Sequence, residues 1–273
     1  MHHGLFDNPP TSIDNAIMLR ACLAWIGLVV GILICATPVW ITGVFYPSRR
    51  VVAFGARWWG RSVMFSCGAK LKVVGAEHVH DGEPCFFVGN HQSALDISAL
   101  LVALNGNVRF LAKESLFRIP ILGWAMRRSE FIPVDRSSAR RAKVMIESAL
   151  AHFRDHPISL VIFPEGTRST DGRILPFRKG AMKICSRAAL PIVPFAIEGS
   201  GAVSPARRFQ IKPGWITLRF AEPIAAADVA AMSSDQLHDC VRRAVEQEFS
   251  AAKLAGEPGG QSVSPAWRES LPS

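Results

Sequence analysis

The stretch VGNHQSALDIS, residues 88–98, sets His91 five positions before Asp96, directly after a short apolar run. An imidazole can take up and return a proton near neutral pH. A carboxylate bonded to one of its ring nitrogens fixes the tautomer and leaves the other nitrogen as a general base. Five residues of regular helix turn through about 500°, which would put the two side chains on different faces. They meet only if His91 lies in the turn ahead of a helix and Asp96 in its first turn. The spacing fits a capping or packing histidine equally well, so on spacing alone both readings stand. Ser93, between them, lacks the GxSxG elbow of a nucleophilic serine.

A second stretch, SLVIFPEGTRS at 159–169, ends an apolar run abruptly in Pro164, Glu165, Gly166, Thr167 and Arg168. The glycine permits a tight turn. The guanidinium of Arg168 can clamp a phosphate through two donors, and Glu165 can accept from a sugar or glycerol hydroxyl. The alternative is a surface ion pair between neighbours in a turn. Lys113, in FLAKESLFRIPILGW, marks another strand exit, and PFRKGAMK supplies Arg178, Lys179 and Lys183 where a helix begins and free N–H groups favour anions. Singly these are solvated basic residues. Together they describe a phosphate-binding rim on one face of a sheet.

Positioning such groups requires strands that end where helices begin, and from residue 70 onward the pattern is of that kind. Apolar strand-like runs at 70–75, 85–89, 108–112, 130–134, 159–163, 191–197 and 215–221 alternate with helix-length stretches near 94–104, 119–128, 137–155, 178–189 and 233–253. This alternation predicts an α/β domain with a largely parallel sheet flanked by helices. In such sheets functional groups collect at the carboxyl ends of strands, where His91, Lys113 and Glu165 all fall.

Ahead of this domain, residues 21–46 carry no charged side chain, enough for a bilayer-spanning helix of roughly 20 residues. Pro38 and three glycines also allow a segment dipping into one leaflet. Arg49, Arg50, Arg57 and Arg61 follow with no acidic residue before Glu77, a positive flank that places the large domain on the cytoplasmic side of the cell inner membrane. On a helical wheel Arg50, Arg57 and Arg61 share a stripe opposed by Val52, Trp59 and Val63, with Phe54 and Met64 intruding on the basic side. Trp58 and Trp59 suit the headgroup depth. The expected organisation is a disordered N-terminus at 1–15, membrane-anchoring helices at 16–66, a catalytic domain at 67–254 and a disordered Gly/Pro/Ser-rich tail at 255–273.

A net charge of +9 with 49% hydrophobic residues and a mean hydropathy of +0.21 points to a membrane surface or an anionic substrate. Nucleic acid is excluded by the scattered arginines, the single tyrosine and the absence of zinc-finger or RNP-like runs. Six cysteines without a CxxC pair argue against a disulfide framework. His78 with His80, and His152 with His156, have metal-compatible spacing, but the second pair, HFRDH, lacks the glutamate of the zinc hydrolase pattern, and no metal is expected at either.

In this order NHQSALD, LAKESLFRIPILGW with EFIPVDR, FPEGTRS and LPIVPFAI resemble the four blocks of the glycerolipid acyltransferase family. The likeness runs from about Lys70 to Ile224, and the N-terminal helices resemble those of bacterial members. It implies His91 as base, Asp96 as its orienting partner, Glu165 on the glycerol hydroxyl, and Arg168 on the acceptor phosphate with Lys113 nearby. Gly166, Thr167 and Lys179 join the expected substrate-binding set. The implied reaction moves an acyl group from acyl-CoA or acyl carrier protein to the free hydroxyl of 1-acyl-sn-glycerol-3-phosphate, giving phosphatidic acid for phospholipid biosynthesis. A thioester is already activated, so no metal or organic cofactor is expected. Another lysophospholipid or a lyso-ornithine lipid is the alternative acceptor.

Overall fold

The computed structural model describes residues 49–80, 83–105, 108–120, 122–135, 158–206 and 210–254, with isolated helical positions at 19, 22, 23, 26, 27 and 30. The expected segments 1–15, 137–155 and 255–273, the pair His152 and His156, and nearly all of the apolar run 21–46 lie outside these. Among the described residues no helix is long and apolar enough to cross a membrane.

Seven strands form one sheet: β1 (Ala69–Val74), β2 (Phe86–Gly89), β3 (Val108–Lys113), β4 (Ile132–Val134), β5 (Ser159–Ile162), β6 (Ile192–Glu198) and β7 (Gly214–Phe220). Their order is β1-β7-β6-β2-β5-β3-β4. All neighbouring pairs are parallel except β6 and β7. The expected largely parallel sheet is therefore present, with one antiparallel junction that reverses β1 and β7 relative to the rest.

The central strands β2 and β5 are buried at every position and almost wholly apolar because both faces are covered, as parallel sheets require. Side chains alternate along a strand, so Phe86 and Val88 point to one face and Phe87 to the other. Phe86, Val88, Leu160, Ile162 and Ile192 pack with Met182, Cys185 and Val229 and with the stripe Leu237, Val241 and Val245. Those partners come from α4 (Lys179–Ala188) and, beyond the short α5 (Ser200–Val203), from α6 (Ala226–Ala231) and α7 (Ser234–Leu254). On the opposite face Phe87, Phe110, Val161 and Phe195 meet Leu95, Ala99, Leu100 and Leu101 of α2 (Leu95–Ala103), and Val63 and Met64 of α1 (Arg49–Ser66).

Helix α1 lies outside α2 at backbone contact distance. A Cβ added to Gly60 would stand 2.9 Å from the Ser98 carbonyl oxygen. Phe54, Trp58 and Phe65 of α1 remain exposed, and the Arg61 guanidinium lies 5.8 Å from the centre of the Trp58 ring. Met64 belongs to the core rather than the basic stripe, and Arg57 is partly buried, its guanidinium lowered from the ordinary value by desolvation first and by Arg61 second. Between β3 and β4 the chain forms a 3-10 turn at Glu114–Arg118 and the short helix α3 (Leu122–Arg128) over Ala112, Phe117 and Met126. Arg109, fully buried on β3, anchors this segment through Glu130 at 3.1 and 3.3 Å.

Asn90 extends the β2–β6 ladder with its side chain. Its amide nitrogen donates to the Ile197 carbonyl and its oxygen accepts from the Ile197 N–H, both at 2.8 Å. Replacing Asn90 by Ala leaves a buried donor and a buried acceptor without partners. Each orphan costs about 1 to 3 kcal/mol, so Asn90→Ala should lower unfolding free energy by about 2 to 6 kcal/mol in denaturant titrations.

Candidate active site

The turn after β2 carries His91, and the first turn of α2 carries Asp96. His91 Nδ1 lies 2.7 Å from Asp96 Oδ2. The same oxygen accepts the backbone N–H groups of Gln92 at 2.7 Å and Ser93 at 2.9 Å. An oxygen that receives two N–H donors acts as an acceptor, so the third partner, Nδ1, carries the proton and Nε2 is left with its lone pair. Among the described residues nothing bonds Nε2. Asp96 is fully buried and His91 is 9% exposed.

Phe163 fixes the ring plane. It stacks on His91 with centroids 4.0 Å apart and 15° between planes. Ser93 is committed to the loop: its hydroxyl donates to the Ser204 carbonyl at 2.7 Å and accepts the Leu95 N–H at 3.3 Å. Gln92 reaches the Gly172 carbonyl through its side-chain nitrogen at 3.3 Å.

Parallel pairing brings the second block alongside the first. Val88 registers with Ile162, and carrying that register forward sets His91 opposite Glu165. β3 pairs with β5 in the same direction, so Lys113 ends on the same edge. The Ser169 N–H donates to the His91 carbonyl at 2.8 Å, tying the two loops. Gly166 takes φ 69°, in the left-handed region that glycine tolerates, and Arg178 lies across it.

Thr167 and Arg168 are exposed, as is Lys113. Among the described residues no group bonds the Arg168 guanidinium. Glu165 is different, being only 3% exposed. One carboxyl oxygen accepts the Leu175 N–H at 3.2 Å, and the other has no partner among the described residues. Lys179 stands apart from the His91 loop: its ammonium bonds Asp235 of α7 at 2.9 Å. The structure thus joins His91, Asp96 and Glu165, leaves Lys113, Thr167 and Arg168 open on the same edge, and engages Lys179 elsewhere. Asn90, Phe163 and Ser169 were not singled out in the sequence. Asn90 carried the clearest signal, a polar amide at the end of a fully apolar strand.

Residues 70–198 match the family model described as Acyltransferase. That segment, which carries His91, Asp96, Glu165 and Arg168, is similar to the acyltransferase family. The 1-acyl-sn-glycerol-3-phosphate acyltransferase BAT2 of Brassica napus is 35% identical over 158 residues, 58% of this chain and 45% of the relative. A 1-acyl-sn-glycerol-3-phosphate acyltransferase of Limnanthes douglasii is 32% identical over 184 residues, 67% of this chain and 63% of the relative. The match thus spans about half to two-thirds of these relatives' length. The crystal structure of the 1-acyl-sn-glycerophosphate acyltransferase from Thermotoga maritima superposes with a TM-score of 0.79 at 24% identity, covering 90% of this chain and 98% of that one. The likeness shows a shared fold. His91 and Asp96, the paired residues, both lie within the matched segment.

The Glu165 carboxyl is pushed up to about 8, chiefly by burial and further by the charge of Asp96; hydrogen bonds from the Leu175 and His91 backbones and the charge of Arg242 pull the other way. The folded protein therefore keeps the Glu165 proton to higher pH than the unfolded chain, whose carboxyl titrates near 4.5. This contribution to stability is complete below 4.5 and is lost as pH rises towards 8, at about 1.4 kcal/mol per pH unit. Glu165→Gln removes the titration. The melting temperature of the variant relative to the parent should rise between pH 5 and 8 and level off above, which calorimetry at a series of pH values can check.

Proposed function

We propose that the chain transfers an acyl group from a thioester, acyl-CoA or acyl carrier protein, to the free hydroxyl of 1-acyl-sn-glycerol-3-phosphate, forming phosphatidic acid. The observation that carries this reading is the His91–Asp96 pair with Nε2 unbonded among the described residues, on an edge where the Arg168 and Lys113 side chains are exposed. The names of the similar proteins support the choice of acceptor.

An alcohol is a poor nucleophile near pH 7, so its proton must leave as the oxygen attacks. Nε2 of His91 takes that proton, and the Asp96 carboxylate stabilises the imidazolium that forms. The acceptor oxygen bonds to the thioester carbonyl carbon, the C–S bond breaks, and the departing sulfur takes the proton back from His91. No acyl-enzyme is required, consistent with a Ser93 hydroxyl held in the loop. Arg168 grips the acceptor phosphate through two donors with Lys113 beside it, holding the hydroxyl near Nε2.

A membrane site suits both lipids of the reaction. Our reading places the catalytic domain on the cytoplasmic face of the cell inner membrane, anchored through residues 21–46. The charge-free run, the arginines that follow it, and the exposed Phe54, Trp58 and Phe65 of α1 support this placement.

Labelled acyl-CoA offered to purified membranes with a panel of lysolipids tests the proposal. Transfer should be strongest to lysophosphatidic acid, and preference for a lyso-ornithine lipid would replace the acceptor. His91→Ala should reduce turnover about 10²- to 10⁴-fold. Arg168→Lys, which keeps the charge but loses the fork, should lower kcat/KM for lysophosphatidic acid about tenfold to a hundredfold while sparing acyl-CoA. Weakened acyl-CoA use with normal lysophosphatidic acid use would move Arg168 to the donor site.

A further inference from the structure

Where the chain leaves β3 it exposes two large apolar side chains, Leu116 and Ile119. Single exposed apolar residues are common on any protein. These two stand three residues apart along the 3-10 turn at Glu114–Arg118, where such residues eclipse, so they form one patch that the exposed Pro120 continues. Phe117, between them, turns the other way and is buried with Ala112 and Met126. The turn is braced from behind. Arg127 Nη1 donates to the Phe117 carbonyl at 2.6 Å, and the Gly123 N–H donates to the Ile119 carbonyl at 2.7 Å. A Cβ at position 123 would strike the Phe117 carbonyl, so glycine is what lets α3 close on the turn. The patch is thus held outward on a stiff support.

The topology puts this patch on the edge that carries the catalytic loops. β2, β5 and β3 are parallel, so the loops with His91 and Arg168 and the turn after Lys113 all leave the sheet at its carboxyl edge. α1 ends at the same edge. β7 runs against β6 with Thr217 opposite Glu198, β1 runs with β7, and the Gly214 N–H donates to the Gly68 carbonyl at 3.2 Å. Phe65, in the last turn of α1, is therefore exposed beside this edge. Five strand steps of about 4.8 Å separate β1 from β3, about 24 Å, and the His91 and Arg168 loops lie between. Lys113, Arg118, Arg168 and Arg173 are exposed along the loops after β3 and β5. Glu114 lies 3.6 Å from Arg118 and Asp171 lies 3.7 Å from Arg173, open ion pairs that hold their cations weakly.

We propose that Leu116 and Ile119 form a lipid-docking wedge on the catalytic domain itself, seated in the headgroup layer of an anionic bilayer on the same side as Phe65, so that the His91 edge lies against the membrane. The proposal deepens the acyl-transfer reading, and only the kinetic arm of its test rests on that reading. An apolar patch ringed by cations is what such a surface receives: the side chains leave water for the acyl boundary while guanidinium and ammonium groups stay among the phosphates. A lysolipid acceptor then reaches Arg168 and His91 by moving within its own leaflet, without carrying its acyl chain through water. Trp215 lies outside this surface. Ile216, Leu218 and Phe220 of β7 face the core under α1 and α2, so Trp215 at the alternate position faces the other side of the sheet, with the Lys70 ammonium 5.4 Å from its ring centre.

The test uses the full-length protein reconstituted into vesicles of phosphatidylcholine and phosphatidylglycerol. Ile119→Trp places an indole in the patch. Lipid chains brominated close to the headgroups should quench the added emission, whereas the emission removed by Trp215→Phe should be insensitive to bromine. An added emission as insensitive as that of Trp215 would overturn the wedge. In the transfer assay Leu116→Ser combined with Ile119→Ser should lower transfer to long-chain lysophosphatidic acid held in the vesicles about threefold to thirtyfold, the effect of two apolar side chains lost from an interface. Transfer to a short-chain lysophosphatidic acid dissolved as monomers should stay within about twofold, which also shows that the double variant is folded. An equal loss on the dissolved acceptor would place the two residues in the substrate site or the fold and contradict docking. Bromine insensitivity together with weakened transfer from acyl carrier protein would give the patch to that acidic carrier and overturn the lipid proposal. A parent inactive towards every lysophosphatidic acid would fail the acyl-transfer reading alone, and bromine quenching would still decide the docking.

Discussion

One carboxylate oxygen, Oδ2 of Asp96, accepts from three donors at once: the His91 ring and the backbone N–H groups of Gln92 and Ser93. A strand exit is ordinarily a loose place for a catalytic group. Here the loop is folded onto a fully buried carboxylate that cannot turn to water, so the imidazole inherits the rigidity of the helix beneath it. Much of the surrounding structure keeps that helix in place. α2 is apolar on nearly every side because the sheet covers one face and α1 the other, and Gly60 is what lets α1 approach to backbone distance. Ahead of the histidine, Asn90 locks the end of β2 to β6, so the loop is anchored on both sides within a few residues.

Burying two carboxyl groups beside one histidine poses an electrostatic problem, and the local hydrogen bonds sort them. Asp96 meets three donors on a single oxygen and serves as the acceptor. Each carries one oxygen with no partner among the described residues, but Glu165 meets fewer donors on the other and is pushed up to about 8, chiefly by burial and further by Asp96. Burial thus favours the neutral form of Glu165, which eases the competition of two negative charges for the same ring. The cations Arg168 and Lys113 remain at the solvent edge, where the proposed phosphate-bearing acceptor can reach them without desolvating the dyad.

Much of this was legible in the residues. Strands buried on both faces are near-continuously apolar, so VIF-rich runs bounded by Gly, Pro and Asn marked β2, β5 and β6 to within a residue or two. The direction of β7 was not legible, because the alternation of WITLRF reports a half-buried face and says nothing of parallel or antiparallel pairing. Its polar face is occupied by contacts such as Arg219 with Glu248, a partner 29 residues away. The short helices at Ser200–Val203 and Ala226–Ala231 carry too few residues for a periodic signal. At the site, the five-residue spacing required a turn followed by a helix start, the geometry observed. What spacing could not show was depth: Glu165 looks like a solvent-facing turn residue until the Leu175 segment folds back over it, and Lys179 looks free until Asp235 arrives from a helix 56 residues later.

The account turns on the tautomer that Asp96 imposes. Nitrogen-15 spectra of the histidine-labelled full-length protein in detergent, with the His91 signals assigned by their loss in His91→Ala, read it directly at neutral pH. The account expects a protonated Nδ1 and an unprotonated Nε2, with the neutral imidazole ready to accept. A protonated Nε2 beside a bare Nδ1 would place the lone pair against Asp96 instead of the acceptor, and would contradict the general-base role on which the rest is built.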